Sequence, residues 1–351
     1  MGDPSPDTLQ AASRPLFQTL RPDARVLFIR LRSMGDSLLL TSPLHALKIE
    51  FPDFHISVLV EPKFAQCFDR NPDIDEVLTT RPTKLGTVKQ LLKQRFDAIV
   101  NLHGGPTSLA YSLAARGPAV GIADYQYSKF YSHLVPRGAG QRHTVDATME
   151  LFRGLGLKSP NAGPLIYTDQ PEEAAWIRRN LGTEAYAVIH PAAVMSTKRW
   201  SPEGFASVGR RLSSLGLRPV LTSGPGEEAV VAETARHLPN NLILLGLPIP
   251  RLAELIRGAT IYVGNDSGPM HLAAAVGTPT VAVWGSSDSK RWHPWQVAHK
   301  VVQNPFDCNP CPGYRCLVAK TPLCIESVTE DQVVEAAESL VRNQVTTMQP
   351  N

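Results

Sequence analysis

This chain of 351 residues contains no run of 18 or more apolar residues, so no helix is expected to cross a membrane. Its first 22 residues hold no apolar core of the kind a secretory signal needs, and they read as a loose tail. Neither sign of charge dominates. The 35 Lys and Arg against 32 Asp and Glu leave a net +3, too little to argue for nucleic acid but compatible with an acidic substrate or an anionic membrane surface. Cysteine is scarce: of five, Cys67 stands alone and Cys308, Cys311, Cys316 and Cys324 lie close together near the end. Without an export signal, this usage fits a reducing cytoplasm better than a disulfide framework. A C-x-x-C pair with two further cysteines can bind zinc, but the second pair lacks tight spacing, so a reduced structural cluster is the favoured reading. The pattern G-x-G-x-x-G is absent, which counts against a hydride-transfer enzyme.

What is present is an ordinary globular composition, 43% hydrophobic and 19% charged, in a chain long for one core. Two domains are expected, over residues 23–165 and 166–328, with a turn-rich linker at 157–164 and a final helical segment at 329–351. In the first half, a strand over 24–30 precedes a helix reaching about residue 50, and Leu39, Leu40, Leu44 and Leu47 give that helix one buried face. Strands at 56–60, 76–79, 96–101 and 120–122 then alternate with helices at 84–93, 107–115 and 145–155. After a helix at 171–181, a second series has strands at 185–190, 218–222, 242–245, 260–263 and 279–284. Ser201-Pro202 opens a helix that ends near Leu215, before a capping Gly216. Thr329 and Gln332 form a capping box, and the apolar stripe that follows predicts a helix packing back across the molecule. Such alternation makes parallel, doubly wound α/β sheets, which bind ligands at the carboxyl ends of their strands.

The stretch from Ile261 to His271 is the leading site candidate. A β-branched and aromatic run reads as a buried strand that breaks at Gly264, passes Asp266 and Ser267, and enters a small-residue helix at Gly268. Unpaired first-turn N–H groups and the helix dipole suit an anion, and Gly268 would let a phosphate approach the backbone. Asp266 would repel a phosphate and suits a sugar hydroxyl; alternatively, Asp266 or Ser267 simply caps the helix. Other strand ends of this half offer partners. Ser196, Thr197 and Lys198 lie in the first loop, and Glu227 or its neighbour Glu228 could hold a ribose diol. In the first half, Asp36 follows the first strand beside Gly35, where it could take a proton from an attacking hydroxyl or serve as a helix cap. Scattered basic residues of that half, Lys63 and Arg137 among them, could together face a phosphorylated acceptor at a membrane.

Three motifs in this order, Ser33-Met34-Gly35-Asp36, Ser196-Thr197-Lys198-Arg199-Trp200 and Val263-Gly264-Asn265-Asp266-Ser267-Gly268 with His271, resemble those of the lipopolysaccharide heptosyltransferases, glycosyltransferase family 9. The resemblance implies a GT-B fold, in which an N-terminal Rossmann-like acceptor domain and a C-terminal Rossmann-like donor domain face a central cleft. It implies inverting transfer of L-glycero-D-manno-heptose from ADP-heptose to a lipopolysaccharide inner-core acceptor of the lipid A–Kdo type, at the cytoplasmic face of the inner membrane, with no metal in the chemistry. By residue match, Asp36 would be the general base, with Ser33 and Gly35 near the acceptor. Lys198 would hold the diphosphate with Ser196 and Thr197 beside it, Glu227 the ribose and Asp266 the heptose. Ser267, Gly268 and His271 would form the phosphate-side helix start. Competing expectations are a GT-B transferase with another nucleotide sugar, a nucleotide-sugar isomerase, and a non-catalytic nucleotide-binding partner.

Overall fold

The computed structural model describes residues 15–138, 140–311 and 314–347. The first half runs α1 (Leu16–Thr19), β1 (Arg25–Ile29), α2 (Met34–Glu50), β2 (His55–Val60), β3 (Glu76–Thr79), α3 (Lys84–Leu91), β4 (Ala98–Asn101), α4 (Gly105–Ala114), β5 (Ala119–Ile122), β6 (His133–Val135) and α5 (Thr144–Gly154). The second runs α6 (Pro171–Leu181), β7 (Tyr186–His190), α7 (Pro202–Ser214), β8 (Arg218–Ser223), α8 (Glu228–Arg236), β9 (Leu242–Leu245), α9 (Ile249–Arg257), β10 (Ile261–Asn265), α10 (Gly268–Ala275), β11 (Thr280–Val283), α11 (Ser289–Trp292), β12 (His299–Val302), α12 (Leu323–Glu326) and α13 (Glu330–Thr347).

Each half builds a six-stranded parallel sheet, ordered β3-β2-β1-β4-β5-β6 and β12-β11-β10-β7-β8-β9. Counted within its own half, each order is 3-2-1-4-5-6, the doubly wound Rossmann arrangement. The strand order therefore reverses between β1 and β4 in the first sheet and between β7 and β10 in the second, and crevices open at the carboxyl ends of those pairs. The central strands are buried on both faces, as their unbroken apolar runs require.

The halves are not separate cores. One apolar cluster joins Phe28, Leu44 and Phe152 of the first to Val188, Met270 and Trp284 of the second. Helices α2 and α10 cross at two glycines. A Cβ on Gly35 would lie 2.5 Å from the His271 ring, and one on Gly268 would lie 2.8 Å from Met34. Glycine at both places lets the two helix N-termini meet. A second seam is aromatic: His143 stacks on Trp295 at 4.4 Å, its Nε2 lies 3.0 Å from the His293 carbonyl, and the Trp295 indole donates to the Gly163 carbonyl at 3.0 Å.

Four expectations need correcting. The loose tail does not extend to residue 22. Phe17 is buried in α1 and its N–H donates to the Leu155 carbonyl at 2.8 Å, because an aromatic ring this close to the Phe51–Phe54 pair gains more by packing than by staying in water; residues 1–14 lie outside the described set. The linker at 157–164 is tied down from both halves, by Ser42 donating to the Gly163 carbonyl and by Gln296 donating to Ala162. The strand before the candidate site does not break at Gly264 but runs to Asn265, since a parallel partner on each side accepts a residue without a side chain. Helix α13 stays on its own half, against α7 and β10–β12, with Val333, Ala337 and Leu340 buried there; residues 348–351 are outside the described set.

Candidate active site

At the β1 end, Ser33 is the N-cap of α2, and its backbone N–H and hydroxyl both donate to Asp36 Oδ2 at 3.2 Å. Asp36 is thus not the N-cap but the third-residue acid of a capping box. Its other oxygen is ion-paired with Arg30, whose guanidinium also donates to the Leu102 carbonyl at the β4 end. Both side chains are about one-fifth exposed, at 20% for Arg30 and 19% for Asp36. The capping role thus leaves the carboxylate partly exposed. His103, after β4, is held below its ordinary pKa by burial first and by the Arg30 charge second.

At the β7 end, Lys198 closes a short 3₁₀ turn, Ser196–Lys198. Its ammonium lies 2.5 Å from Asp266, which is 5% exposed and also accepts a hydrogen bond from Ser287. The buried Asn265 braces this loop from beneath, accepting from Trp200 N–H at 3.0 Å and donating to the Pro191 carbonyl at 2.8 Å. The two hydroxyls expected beside the phosphate turn elsewhere. Ser196 donates to the Tyr314 carbonyl at 3.0 Å, and the Thr197 hydroxyl is buried and accepts from Ser286 at 2.9 Å. In a 3₁₀ turn successive side chains point about a third of a revolution apart, so only one of the three can enter the crevice.

Ser267 occupies the N-cap position of α10, yet its side chain makes no capping bond and its hydroxyl is buried without a partner. This separates the two readings of that stretch: the helix N-terminus is not closed by its own residues. Pro269 in the first turn leaves fewer N–H groups to satisfy, and the dipole still points into the crevice. His271 is buried, its Nδ1 has no partner, and burial pushes its pKa down to about 4. The imidazole feels the charges of both Asp36 and Asp266, which partly offset that shift.

These residues enclose two adjoining cavities. One, of about 200 Å³, is lined by Asp36, Lys198, Asp266, Ser267, His271 and Trp292. The other, of about 390 Å³, is lined among others by His190, Ala193, Ser223, Glu227, Leu252 and Gly268. Ser33, Ser267 and Gly268 border both. Ser223, Ser267 and His271, which line this space, each carry a buried polar side-chain atom with no hydrogen-bond partner within normal distance, as do several residues away from it. Glu227 borders the larger cavity with its carboxylate accepting from Gly224 N–H at 3.1 Å, whereas Glu228 folds back on Gly226 N–H at 2.9 Å and borders neither. His190 is fully enclosed beside it, its Nδ1 3.0 Å from Thr222, and burial lowers its pKa to about 4.

The sequence reading missed Arg30, Ser223, Ser287 and Trp292. Arg30 carried one usable signal, a charge directly at the end of an otherwise apolar strand. The four late cysteines, for which the sequence favours a reduced structural cluster over zinc, are thiols rather than disulfides, and Cys324 lies near enough to Cys308 and Cys316 to feel both. Among the described residues the one trio of possible ligand atoms within 4.8 Å of one another is Glu203, Glu233 and His237.

Two facing Rossmann-like domains with a polar cleft at both switch points are the GT-B architecture. A sequence profile described as glycosyltransferase family 9 (heptosyltransferase) matches residues 85–321, and the chain belongs to that family. It is 31% identical over 295 residues to lipopolysaccharide heptosyltransferase 3 of Escherichia coli, covering 76% of this chain and 84% of that protein. Among solved structures it is similar to the family 9 glycosyl transferase of Veillonella parvula (TM-score 0.80, 22% identity, 91% of this chain and 98% of that one). It is also similar to the E. coli heptosyltransferase WaaC with ADP (TM-score 0.72, 25% identity, 90% and 99%). No helix among the described residues is long and apolar enough to cross a membrane.

Proposed function

We propose that this enzyme transfers a heptosyl residue, with inversion, from ADP-heptose to a saccharide of the lipopolysaccharide inner core of the lipid A–Kdo type, working at the cytoplasmic face of the inner membrane. The observation that carries the reading is the smaller cavity, where a carboxylate from one half and a lysine–carboxylate pair from the other line the same 200 Å³. The identity to a lipopolysaccharide heptosyltransferase and the likeness to a homologue solved with ADP support the choice of substrates.

In this reading the nucleoside lies in the larger cavity, with Glu227 on the ribose diol. The diphosphate meets Lys198 and the N-terminus of α10 with Ser267, Gly268 and His271, and the heptose reaches Asp266. The acceptor oxygen attacks the anomeric carbon from the Asp36 side. Asp36 takes the hydroxyl proton, the bond from the anomeric carbon to the diphosphate breaks, and its electrons leave with ADP. Lys198 has three donors, enough to keep one on Asp266 while two meet the leaving group. Together with the helix N-terminus it stabilises charge where charge develops. Neutral His271 adds no competing positive charge, and its unpartnered nitrogen offers a hydrogen bond.

The test is to supply purified enzyme with ADP-, UDP- and GDP-sugars and truncated core acceptors and to weigh the products. A heptose added only from ADP-heptose, and only with acceptor present, is expected. Turnover of the nucleotide sugar without any acceptor would instead mark an isomerase and sink the proposal.

A further inference from the structure

The Arg30–Asp36 pair is unlike the surface ion pairs elsewhere in the chain. Arg30 leaves the end of β1, spans the switch point to the Leu102 carbonyl at the end of β4, and returns to Asp36 six residues on. A guanidinium is the side chain suited to this, because its rigid fork presents two donors in one plane to two different acceptors. Arg30 has no other carboxylate partner among the described residues.

A count of lone pairs shows what the pair does to Asp36. An ionised carboxylate has about four acceptor sites. Two on Oδ2 take the Ser33 N–H and hydroxyl, and one on Oδ1 takes Arg30. A single site on Oδ1 remains for a proton. The carboxylate is held at both oxygens, which restricts its rotation, and Asp36 lines the cavity it shares with Lys198 and Asp266. Arg30 also borders the neighbouring crevice of about 240 Å³, lined by His103, Tyr125, Arg137 and Trp292, and so stands between that crevice and Asp36.

We propose that Arg30 is a positioning residue for the transfer, fixing the Asp36 carboxylate so that its one uncommitted lone pair stays open to the cavity shared with Lys198 and Asp266. The proposal rests on Asp36 as the base. It predicts a defect in turnover rather than in substrate binding, since a base 1 Å out of line loses rate without losing affinity.

The experiment compares Arg30→Gln, Arg30→Lys, Arg30→Ala and Asp36→Asn in the full chain, with steady-state kinetics on both substrates, ADP titration calorimetry and thermal melting. Arg30→Gln is expected to lower kcat roughly a hundredfold, within the range of general-base effects, with KM for donor and acceptor and the affinity for ADP nearly unchanged. Arg30→Lys, whose ammonium can hold Asp36 but has no planar fork to hold the Leu102 carbonyl as well, should recover part of kcat. Millimolar ethylguanidinium should raise the rate of Arg30→Ala and leave Asp36→Asn unaffected. A wild-type kcat in Arg30→Gln beside an inactive Asp36→Asn overturns the role of Arg30 alone. So does a raised KM at full kcat, which would make Arg30 a substrate ligand. If the neutral variants melt early or lose ADP binding, Arg30→Lys decides: a folded, ADP-binding Arg30→Lys with full kcat overturns the proposal, and one with reduced kcat supports it. An active Asp36→Asn removes the base reading itself, and this proposal with it.

Discussion

The two halves of this enzyme have the same strand order and place different chemistry at the same topological position. At the β1/β4 switch point the loop is short. Its acid is locked by a capping box and a guanidinium, and the first turn of α2 is satisfied by its own residues. At the β7/β10 switch point the loop is longer, Asn265 braces the backbone that flanks its lysine, and Ser267 makes no side-chain cap on α10. Under the proposed function, one half would thus present a fixed proton acceptor and the other an anion cradle. The fold supplies the location, and a few loop residues supply the function.

That contrast has measurable edges. The largest effect is expected in the first half: Asp36→Asn should lower kcat by about a thousandfold or more, on the order of 4 kcal/mol in the barrier, while ADP affinity measured by calorimetry stays within a few-fold. If ADP affinity fell with kcat, the two halves would not divide the work as described. In the second half the balance reverses. Lys198→Ala should weaken ADP binding roughly ten- to a hundredfold, as loss of a charge-assisted hydrogen bond does, and also slow transfer. Unchanged affinity would remove Lys198 from the phosphate site.

The last effect concerns pH, and it should fall on both halves, since burial also lowers the pKa of His143, in the first half, to about 3. His190 and His271 have folded pKa values lowered from 6.5 to about 4 by burial. Between those limits the unfolded chain binds more protons than the folded one, so stability is lost as pH falls from about 6.5 through about 4 and flattens below. At pH 5 the loss is on the order of 2 kcal/mol per histidine. Melting curves from pH 7 to pH 4.5 should show it, and His271→Gln should flatten part of the slope if the fold tolerates it. A slope unchanged in both His190 and His271 variants would place the acid sensitivity elsewhere.

Much of this was legible in the sequence, for reasons that particular residues make plain. The central strands of both sheets are buried apolar runs, and the half-exposed edge strands β3 and β9 fall where the apolar pattern put them. The edge strands β6 and β12 escaped because His133, His299 and Lys300 interrupt their short apolar pattern. Helix α9 escaped among the prolines Pro248 and Pro250, which sit at its start and are tolerated there. The placement of Asp36, Lys198, Glu227 and Asp266 beside the cleft was legible because each lies in the loop or first helical turn that follows a strand of a doubly wound sheet, at its ligand edge. The orientations of Ser196 and Thr197 were not, since three adjacent polar residues look alike until the turn that presents them is known. The pairing of Arg30 with Asp36 was hidden for the same reason: their separation of six residues matches no regular period and depends on the path of the loop between them.

The meeting of Gly35 with His271 and of Gly268 with Met34 brings the halves into close contact one or two residues from Asp36 and Asp266. A rocking motion pivoted there would swing the outer lips of the enzyme widely and shift the centre hardly at all. A bulky substrate could then enter and leave while Asp36 and Lys198 kept their separation.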